Sequence, residues 1–227
     1  MKRRTFLGAT GSAAALLGFL DGLGLPVAWG AEDATRPDAR SREEFDRLAA
    51  DLDAKSRRLA SMPGKDCRFL HLMVKATRAK GVLELGTGYG LTTIWMGLAL
   101  EETGGKLTTV EILADRVQAA RTNVGKAGLE PRVTLKTGDA HQVVPNLEGT
   151  FDFILLNADK DGQMDYFRKL YPKKLLPGGL LLAYGAVLRE EKMRDYLEML
   201  VKHPDFDTVV VSASMEDGFS VSRRKRD

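Results

Sequence analysis

The spacing of apolar residues along the chain alternates between patterns typical of strands and patterns typical of helices, and this alternation predicts a βα fold. Short apolar runs typical of buried parallel strands alternate with stretches in which apolar residues recur every three to four positions. The runs predict seven strands, at Gly81–Leu85, Lys106–Glu111, Arg132–Thr137, Phe151–Asn157, Gly179–Tyr184, Thr208–Ser212 and Gly218–Ser222. Between the first six strands, helices are predicted near residues 92–102, 114–127, 140–146, 162–171 and 189–202. Such alternation predicts an α/β fold with a doubly wound, Rossmann-like, mostly parallel sheet.

The final strand is predicted to run antiparallel to the others. Only about six residues separate it from the strand before, which leaves no room for a helix. A connection between parallel neighbours needs a dozen or more residues, so this short link excludes a parallel pair. Upstream of the first strand, two more helices are predicted at residues 41–60 and 65–78, separated by the helix-breaking Met62-Pro63-Gly64.

The first 30 residues have the three parts of a secretion signal in order. Basic residues at Lys2-Arg3-Arg4 precede an apolar, Gly/Ala-rich stretch, and Ala28 and Gly30 are small residues at the two positions that a signal peptidase inspects. The paired arginines followed by Phe-Leu resemble a twin-arginine export signal. We expect a periplasmic protein with a signal peptide over residues 1–30; the alternative is an uncleaved N-terminus that anchors it to the membrane. The stretch is too short and too mildly apolar for a stable membrane span.

The composition of the chain excludes some classes of function but does not identify one. The full chain of 227 residues carries a formal charge of +3. The first 30 residues hold three basic side chains and Asp21, a net +2, so the remainder is near +1 and does not have the charge of a general nucleic-acid binder. Cys67 is the single cysteine, which excludes an internal disulfide and a cysteine-based zinc site. Residues 31–61 are predicted as an N-terminal segment with one helix, and residues 62–227 as one domain.

The most informative stretch is Val-Leu-Glu-Leu-Gly-Thr-Gly-Tyr-Gly at residues 82–90. Gly86, Gly88 and Gly90 follow a predicted buried strand and precede a helix, where glycines let the backbone turn sharply and approach a ligand closely. Their spacing differs from the G-x-G-x-x-G of dinucleotide-binding folds, which disfavours a nicotinamide-dependent oxidoreductase. Glu84 near the strand end suits a cationic ligand group better than a pyrophosphate. The pattern resembles the first motif of class I S-adenosylmethionine-dependent methyltransferases.

Carboxylates also follow the next two strands. Glu111 ends the second strand and can accept two hydrogen bonds from a ribose diol, while Ile112 is placed to lie against an adenine face. Asp139 follows the third strand and can accept a hydrogen bond from an exocyclic amine. For each acidic residue the alternative is a helix N-cap. Because the carboxyl ends of parallel strands share one edge of a sheet, we expect these side chains to surround one ligand.

The chain resembles the small O-methyltransferases that include the catechol and caffeoyl-coenzyme A enzymes. The resemblance runs from about Met62 to Lys225, and its specific parts are Asn157-Ala158-Asp159-Lys160-Asp161 and the closing Asp217-Gly218 to Arg223-Arg224. It implies an S-adenosylmethionine-dependent methyltransferase domain over residues 62–227. It also implies a cofactor site in which the methionine end meets Glu84 and the loop glycines, the carboxylate meets Thr92, the ribose meets Glu111, and the adenine side meets Asp139 and Ala140.

The family's metal ligands are not matched. Many relatives bind a divalent cation with two aspartates and an asparagine, and the corresponding positions here are Asn157 and Gly185-Ala186. A hard cation needs oxygen ligands, so no catalytic metal is expected, and a chelator should have no effect. Asp159 and Asp161 offer a displaced site as an alternative, although they also suit the cap of the following helix.

Lys160 matches the family's base, and we expect a neutral Lys160 amine to take the acceptor's proton, since burial beside a sulfonium lowers a lysine pKa. The alternative is a surface lysine. Asn157 is the candidate for orienting the acceptor or the methyl group. His141 is expected to face solvent, and the alternative is that it faces the adenine pocket. The resemblance thus implies methyl transfer to a small, aromatic hydroxyl acceptor, and a homodimer by analogy. The alternative is a protein of the same fold that binds the cofactor without transfer, which fits both the missing metal ligands and export away from the cofactor supply.

Overall fold

The computed structural model describes residues 42–59, 62–212 and 217–226. The predicted signal peptide, residues 1–30, lies outside the described residues, and so do the expectations of export and membrane anchoring that rest on it. Within the described ranges, no helix has the length and apolar character that a bilayer crossing requires.

The helices and strands follow the predicted order. The helices are α1 (Arg42–Leu59), α2 (Gly64–Ala76), α3 (Leu91–Thr103), α4 (Ala114–Lys126), α5 (Ala140–Val143), α6 (Gln163–Leu170) and α7 (Glu190–Lys202). A 3₁₀ turn, Val144–Asn146, continues α5. The strands are β1 (Gly81–Leu85), β2 (Lys106–Glu111), β3 (Val133–Thr137), β4 (Phe151–Leu156), β5 (Leu175–Tyr184), β6 (Phe206–Val211) and β7 (Phe219–Arg224).

The described strands form one seven-stranded sheet with the order β3-β2-β1-β4-β5-β7-β6. Strands β1 to β5 pair in parallel. Strand β7 lies between β5 and β6 and runs antiparallel to both, which confirms the expectation drawn from the short link before it. The doubly wound, Rossmann-like fold class is confirmed as well.

Strand β5 begins four residues earlier than the sequence pattern indicates, at Leu175 rather than Gly179. Its pairing with β4 shifts register, since Phe151 faces Leu175 while Phe153 faces Leu180. The extra residues include Pro177, which lacks an N–H for the ladder, and Gly178 at φ +80°. A proline and a glycine therefore mark an irregular strand start here, not a loop before the strand.

Two apolar cores cover the two faces of the sheet. Successive residues of a strand point to opposite faces, so Val82 packs in the core that holds Leu70 and Ile94 from α2 and α3. Leu83 packs in the other core, which is covered by α5 to α7. The carboxyl ends of β1, β2, β3 and β4 meet at one edge of the sheet. Every cofactor-binding residue predicted from the sequence lies at this edge, either at the end of β1, β2 or β3 or in the loop and helix that follow that strand.

Candidate active site

A cleft of about 680 Å³ lies at the carboxyl edge of the sheet. Its walls come from the loops that follow β1, β2, β3 and β4, as expected for a ligand site in an open α/β sheet. Eight of the eleven residues predicted for the site line it: Gly86, Gly88, Thr92, Glu111, Ile112, Asp139, Ala140 and Asn157. The other three, Glu84, Gly90 and Lys160, are not among its lining residues.

The three loop glycines are required for three different reasons. At Gly86, with φ +94°, a Cβ would come within 2.5 Å of the carbonyl oxygen of Asn157, so the loop and the end of β4 approach too closely for any side chain. Gly88 has φ +55° and open space where a Cβ would stand, which leaves that wall of the cleft bare. Gly90 has φ +83° and packs against Ala120 of α4. Gly90, which was predicted to bind the cofactor, does not line the cleft, and its close packing accounts for a glycine at this position.

Glu84 was also predicted to meet the ligand, and the structure places it behind the loop. It lies on the same face of β1 as Val82, toward α3, and is fully buried. Its carboxylate accepts hydrogen bonds from the hydroxyls of Thr92, Thr93 at 2.5 Å and Thr109 at 2.8 Å. Three hydroxyl donors satisfy a buried carboxylate. Glu84 therefore joins β1, β2 and α3 beneath the cleft, and among its direct partners Thr92 lines the cleft.

Burial raises the pKa of Glu84 from its usual 4.5 to about 7, although the three hydroxyls oppose this rise. The folded protein then holds this proton more tightly than the unfolded chain does, so stability falls as the pH rises through this range. We expect Glu84 alone to lower the free energy of unfolding by about 3 kcal/mol between pH 4.5 and 7. Urea unfolding at both pH values should show this loss in the wild type and a smaller loss in Glu84→Gln. Equal losses in the two proteins would contradict the assignment.

Glu111 and Ile112 form one wall of the cleft. Glu111 is buried, and its carboxylate accepts from the backbone N–H of Gly88 at 2.8 Å and from that of Leu113 at 3.1 Å. Each oxygen keeps a further lone pair, so the carboxylate can still accept hydrogen bonds from a diol. Ile112 lines the cleft yet is 62% exposed, which leaves an apolar face for a flat ligand to cover.

Asp139 acts as the N-cap of α5, because its Oδ1 accepts from the backbone N–H of His141 at 2.9 Å. The helix-cap alternative for this residue is thus realised. Asp139 also lines the cleft beside the buried Ala140. The cap occupies one carboxylate oxygen and leaves the other as an acceptor for a ligand amine.

His141 was expected to face solvent, but its ring belongs to the cleft wall. The ring stacks on Tyr166 with centroids 4.2 Å apart, and its Nδ1 lies 2.5 Å from Oδ2 of Asp165. Burial lowers the pKa of His141, but Asp165 and Asp159 outweigh it, so that the pKa is raised. Tyr166 donates its hydroxyl to Asp159. No sequence pattern pairs His141 with Asp165, since 24 residues and a strand separate them.

Lys160 directly follows Asp159, which lines the cleft, but it is not itself a lining residue. Its Nζ is buried and has no hydrogen-bond partner among the described residues. It lies 5.6 Å from the centroid of the Tyr184 ring. Burial lowers the pKa of Lys160 to about 8, against the attraction of Asp217 and Asp159. The alternative of an ordinary surface lysine does not describe this amine, because an unpaired buried amine loses its proton more readily than an exposed one.

Tyr184 sits beside Lys160 but is held as a neutral phenol. Its hydroxyl donates to Oδ2 of Asp217 at 2.6 Å and contacts Oδ2 of the buried Asp66 at 3.1 Å. Burial and these two carboxylates raise the pKa of Tyr184 well above its usual range. Of the two neighbours Lys160 and Tyr184, Lys160 is therefore the one whose pKa lies near neutral, as a general base requires.

The comparison with family models decides what kind of protein carries this site. The model of a family described as O-methyltransferase matches residues 43–206. The chain belongs to the O-methyltransferase family. The match begins in α1 and ends at the start of β6, so it takes in the whole cleft and Lys160.

Relatives of known activity share this family. The catechol O-methyltransferase of Niastella koreensis is 36% identical over 132 residues, which cover 56% of this chain and 58% of the relative. The chain thus matches little more than half of that relative's length. The catechol O-methyltransferase of Mycobacterium tuberculosis is 29% identical over 189 residues, which cover 77% of this chain and 85% of the relative.

Solved structures of O-methyltransferases share the fold. The Streptomyces achromogenes enzyme involved in tomaymycin synthesis, solved in complex with S-adenosylmethionine, superposes with a TM-score of 0.70 at 22% identity. That match covers 80% of this chain and 91% of the other. The Bacillus cereus O-methyltransferase, solved in complex with S-adenosylhomocysteine, gives a TM-score of 0.68 at 23% identity and covers 93% of this chain and 97% of the other.

The divalent cation expected in many relatives does not fit the residues of this family member. Gly185 and Ala186 follow β5 and carry no side-chain oxygen, so Asn157 would contribute the single matching ligand. Elsewhere in the described residues, no group of three or more His, Cys, Asp or Glu side chains is arranged to hold a metal ion. The side chains present at this site therefore do not match the oxygen ligands that a catalytic cation needs.

Proposed function

We propose that this family member is an S-adenosylmethionine-dependent O-methyltransferase that methylates a hydroxyl of a small, aromatic acceptor without a catalytic metal. One observation carries the proposal. A nucleoside-sized cleft has a bare glycine loop and a carboxylate at a strand end, and the residue after the cleft-lining Asp159 is Lys160, whose buried amine has no hydrogen-bond partner among the described residues. The family membership and the resemblance to catechol O-methyltransferases support the reaction class.

The cleft residues fit the adenosyl part of the cofactor. In this proposal the carboxylate of Glu111 binds the ribose diol, Ile112 covers the adenine face and Asp139 accepts from an exocyclic amine, which is supported by the position of all three in the cleft wall. The open space at Gly88 lets a ligand approach the backbone. Thr92 lines the same cleft, and Glu84 fixes its hydroxyl, so Glu84 acts through Thr92 rather than by contact.

Lys160 supplies the proton acceptor. The bound cofactor contributes a methyl group on a positively charged sulfur, ready for in-line displacement. As the acceptor oxygen forms its bond to the methyl carbon, the neutral Lys160 amine takes the hydroxyl proton and becomes an ammonium. Asn157 precedes Lys160 by three residues and lines the cleft, where its amide can orient the acceptor. Most of the rate acceleration then comes from alignment of the two reactants.

Replacing Glu111 by Gln tests the ribose assignment. The amide keeps the size of the side chain but offers one acceptor oxygen in place of two, so it cannot serve both backbone N–H groups and a diol. We expect affinity for S-adenosylhomocysteine to fall about 10- to 100-fold, the range for lost hydrogen bonds to a charged group. Calorimetric titration measures this change. Glu148→Gln, at an exposed position, is the control, and equal affinities in both variants would count against the assignment.

A second candidate function is a binding protein that holds the nucleoside without methyl transfer. The missing metal ligands favour it, because they remove a catalytic group that many relatives use. A labelled methyl group supplied on S-adenosylmethionine separates the two functions. Transfer of label to a phenol, unaffected by a chelator, supports the enzyme, while tight nucleoside binding without transfer to any phenol supports the binding protein.

We also propose that residues 1–30 direct export and that the folded protein forms a homodimer. Export is supported by Arg3-Arg4 and the apolar stretch after them. Replacing both arginines by lysine should retain the protein in the cytoplasm, and unchanged export on fractionation would refute this. Light scattering of the purified protein tests the dimer, and a monomer mass at all concentrations would exclude it.

A further inference from the structure

The end of β5 brings a second cation next to Lys160. A Cβ at Gly185 would come within 3.2 Å of Cε of Lys160 and within 3.4 Å of Cγ of Arg189. The backbone N–H of Arg189 donates to the carbonyl of Gly185 at 2.9 Å, which fixes the start of its side chain. The absence of a side chain at Gly185 thus lets the stems of two long cationic side chains lie over the same point.

Two carboxylates lie near these two cations, and both already have other partners. Asp217 and Asp159 attract Lys160, but Asp217 accepts the Tyr184 hydroxyl at 2.6 Å and Asp159 accepts the Tyr166 hydroxyl. Arg189 is exposed and makes no ion pair with any residue of the described ranges. The positive charge of Arg189 also contributes, after burial, to the lowered pKa of Lys160. The two positive charges therefore repel each other, and an anion bound between them would be attracted by both.

An apolar surface adjoins the two cations. Val187 and Leu188 follow Ala186 and are 41% and 57% exposed. Their backbone N–H groups both donate to the carbonyl of Asp217, at 2.9 and 3.3 Å, so this segment is held in place. A ligand with an aromatic ring can cover these side chains while its charged group remains near Arg189.

We propose that the methyl acceptor is an anionic phenol, with an acidic substituent bound by the guanidinium of Arg189 and its reacting hydroxyl placed at Nζ of Lys160. A guanidinium binds a carboxylate through two parallel hydrogen bonds and thereby fixes its orientation. The inference rests on the proposed methyl transfer, which it deepens by naming the acceptor class. Arg189 is then the residue that determines specificity, and Lys160 is the residue that takes the proton.

A matched pair of acceptors tests the inference. 3,4-Dihydroxybenzoate and its amide differ in charge but have nearly the same size and carry the same hydroxyls. We expect kcat/KM to favour the carboxylate by about tenfold or more in the wild type. Arg189→Gln should remove that preference through a higher KM for the carboxylate, while any change in kcat should be the same for both acceptors, because the charge of Arg189 also lowers the pKa of Lys160. Arg194→Gln, an exposed cation on α7, is the control and should behave as the wild type.

Two kinetic results would overturn the inference: equal use of both acceptors by the wild type, or an Arg189→Gln variant that keeps the wild-type ratio of kcat/KM values for the two acceptors. If no label is transferred to either compound, the proposed function fails, and calorimetric titration of the S-adenosylhomocysteine-bound protein then tests the inference separately. Binding of the benzoate that depends on Arg189 supports it in the absence of turnover. Failure of both compounds to bind, or equal binding of both, overturns it.

Discussion

Replacing Lys160 by Met should lower kcat about 10²- to 10⁴-fold, the range that a general base contributes. Methionine keeps the length and the apolar stem of the side chain but removes the amine that accepts the proton. Affinity for S-adenosylhomocysteine should change little, because Lys160 does not line the nucleoside cleft. Steady-state kinetics and calorimetric titration of the same preparation measure the two quantities.

The pH profile adds an independent readout for Lys160. The base must be neutral, and the pKa of Lys160 lies at about 8, so kcat/KM of the wild type should rise with pH and level off above about 8. The residual activity of Lys160→Met should lack this rise. Lys192→Met is the control, because Lys192 is exposed and pairs with Asp161 at 3.4 Å. A Lys160→Met enzyme with wild-type turnover would show that another group takes the proton.

Replacing Gly86 by Ala should destabilise the fold more than a substitution at any other position of the glycine loop. The new methyl group would lie 2.5 Å from the carbonyl oxygen of Asn157, and the residue would have to keep φ +94°. Left-handed strain costs about 1–2 kcal/mol and an overpacked contact about 1–3 kcal/mol, so we expect a loss of about 2–5 kcal/mol. Urea unfolding measures this loss, and it should be accompanied by weak binding of S-adenosylhomocysteine.

Two other glycines separate the contributions. Gly149 has φ +78° and open space around a Cβ, and it lies outside the cleft, so Gly149→Ala reports left-handed strain alone. Gly88→Ala should cost a similar amount of stability but should also weaken nucleoside binding, because Gly88 lines the cleft. If Gly86→Ala costs no more stability than Gly149→Ala, the close approach of the loop to Asn157 does not restrain this position.

The hydrophobic pattern predicted the order of elements and the sheet because each element has its own period. The antiparallel β7 followed from the length of one loop. The start of β5 was missed, since Pro177 and Gly178 are typical of loops, and only the pairing with β4 shows that the strand continues through them. Boundaries of this kind depend on a neighbouring strand that is distant in sequence.

For a similar reason, the sequence indicated which residues lie at the edge of the sheet but not which residues they contact. Glu111, Ile112 and Asp139 lie where the strand ends placed them. Glu84 was assigned to the ligand because acidic residues in this motif suggest it, yet strand alternation places it on the face toward α3, where three threonines bind it. The contacts of His141 with Asp165 and Tyr166 join segments that no local pattern relates. Local sequence therefore predicted positions along the sheet edge, while partners across the cleft required the folded chain.

We infer that the glycine loop and the carboxylates at the strand ends bind an adenosyl group. A crystal structure of the protein with bound S-adenosylhomocysteine would show whether they do. We expect the ribose hydroxyls at Glu111, the adenine against Ile112 near Asp139, and the sulfur on the side of the cleft toward Asn157. A nucleoside bound elsewhere, or one whose ribose lies away from Glu111, would refute this assignment.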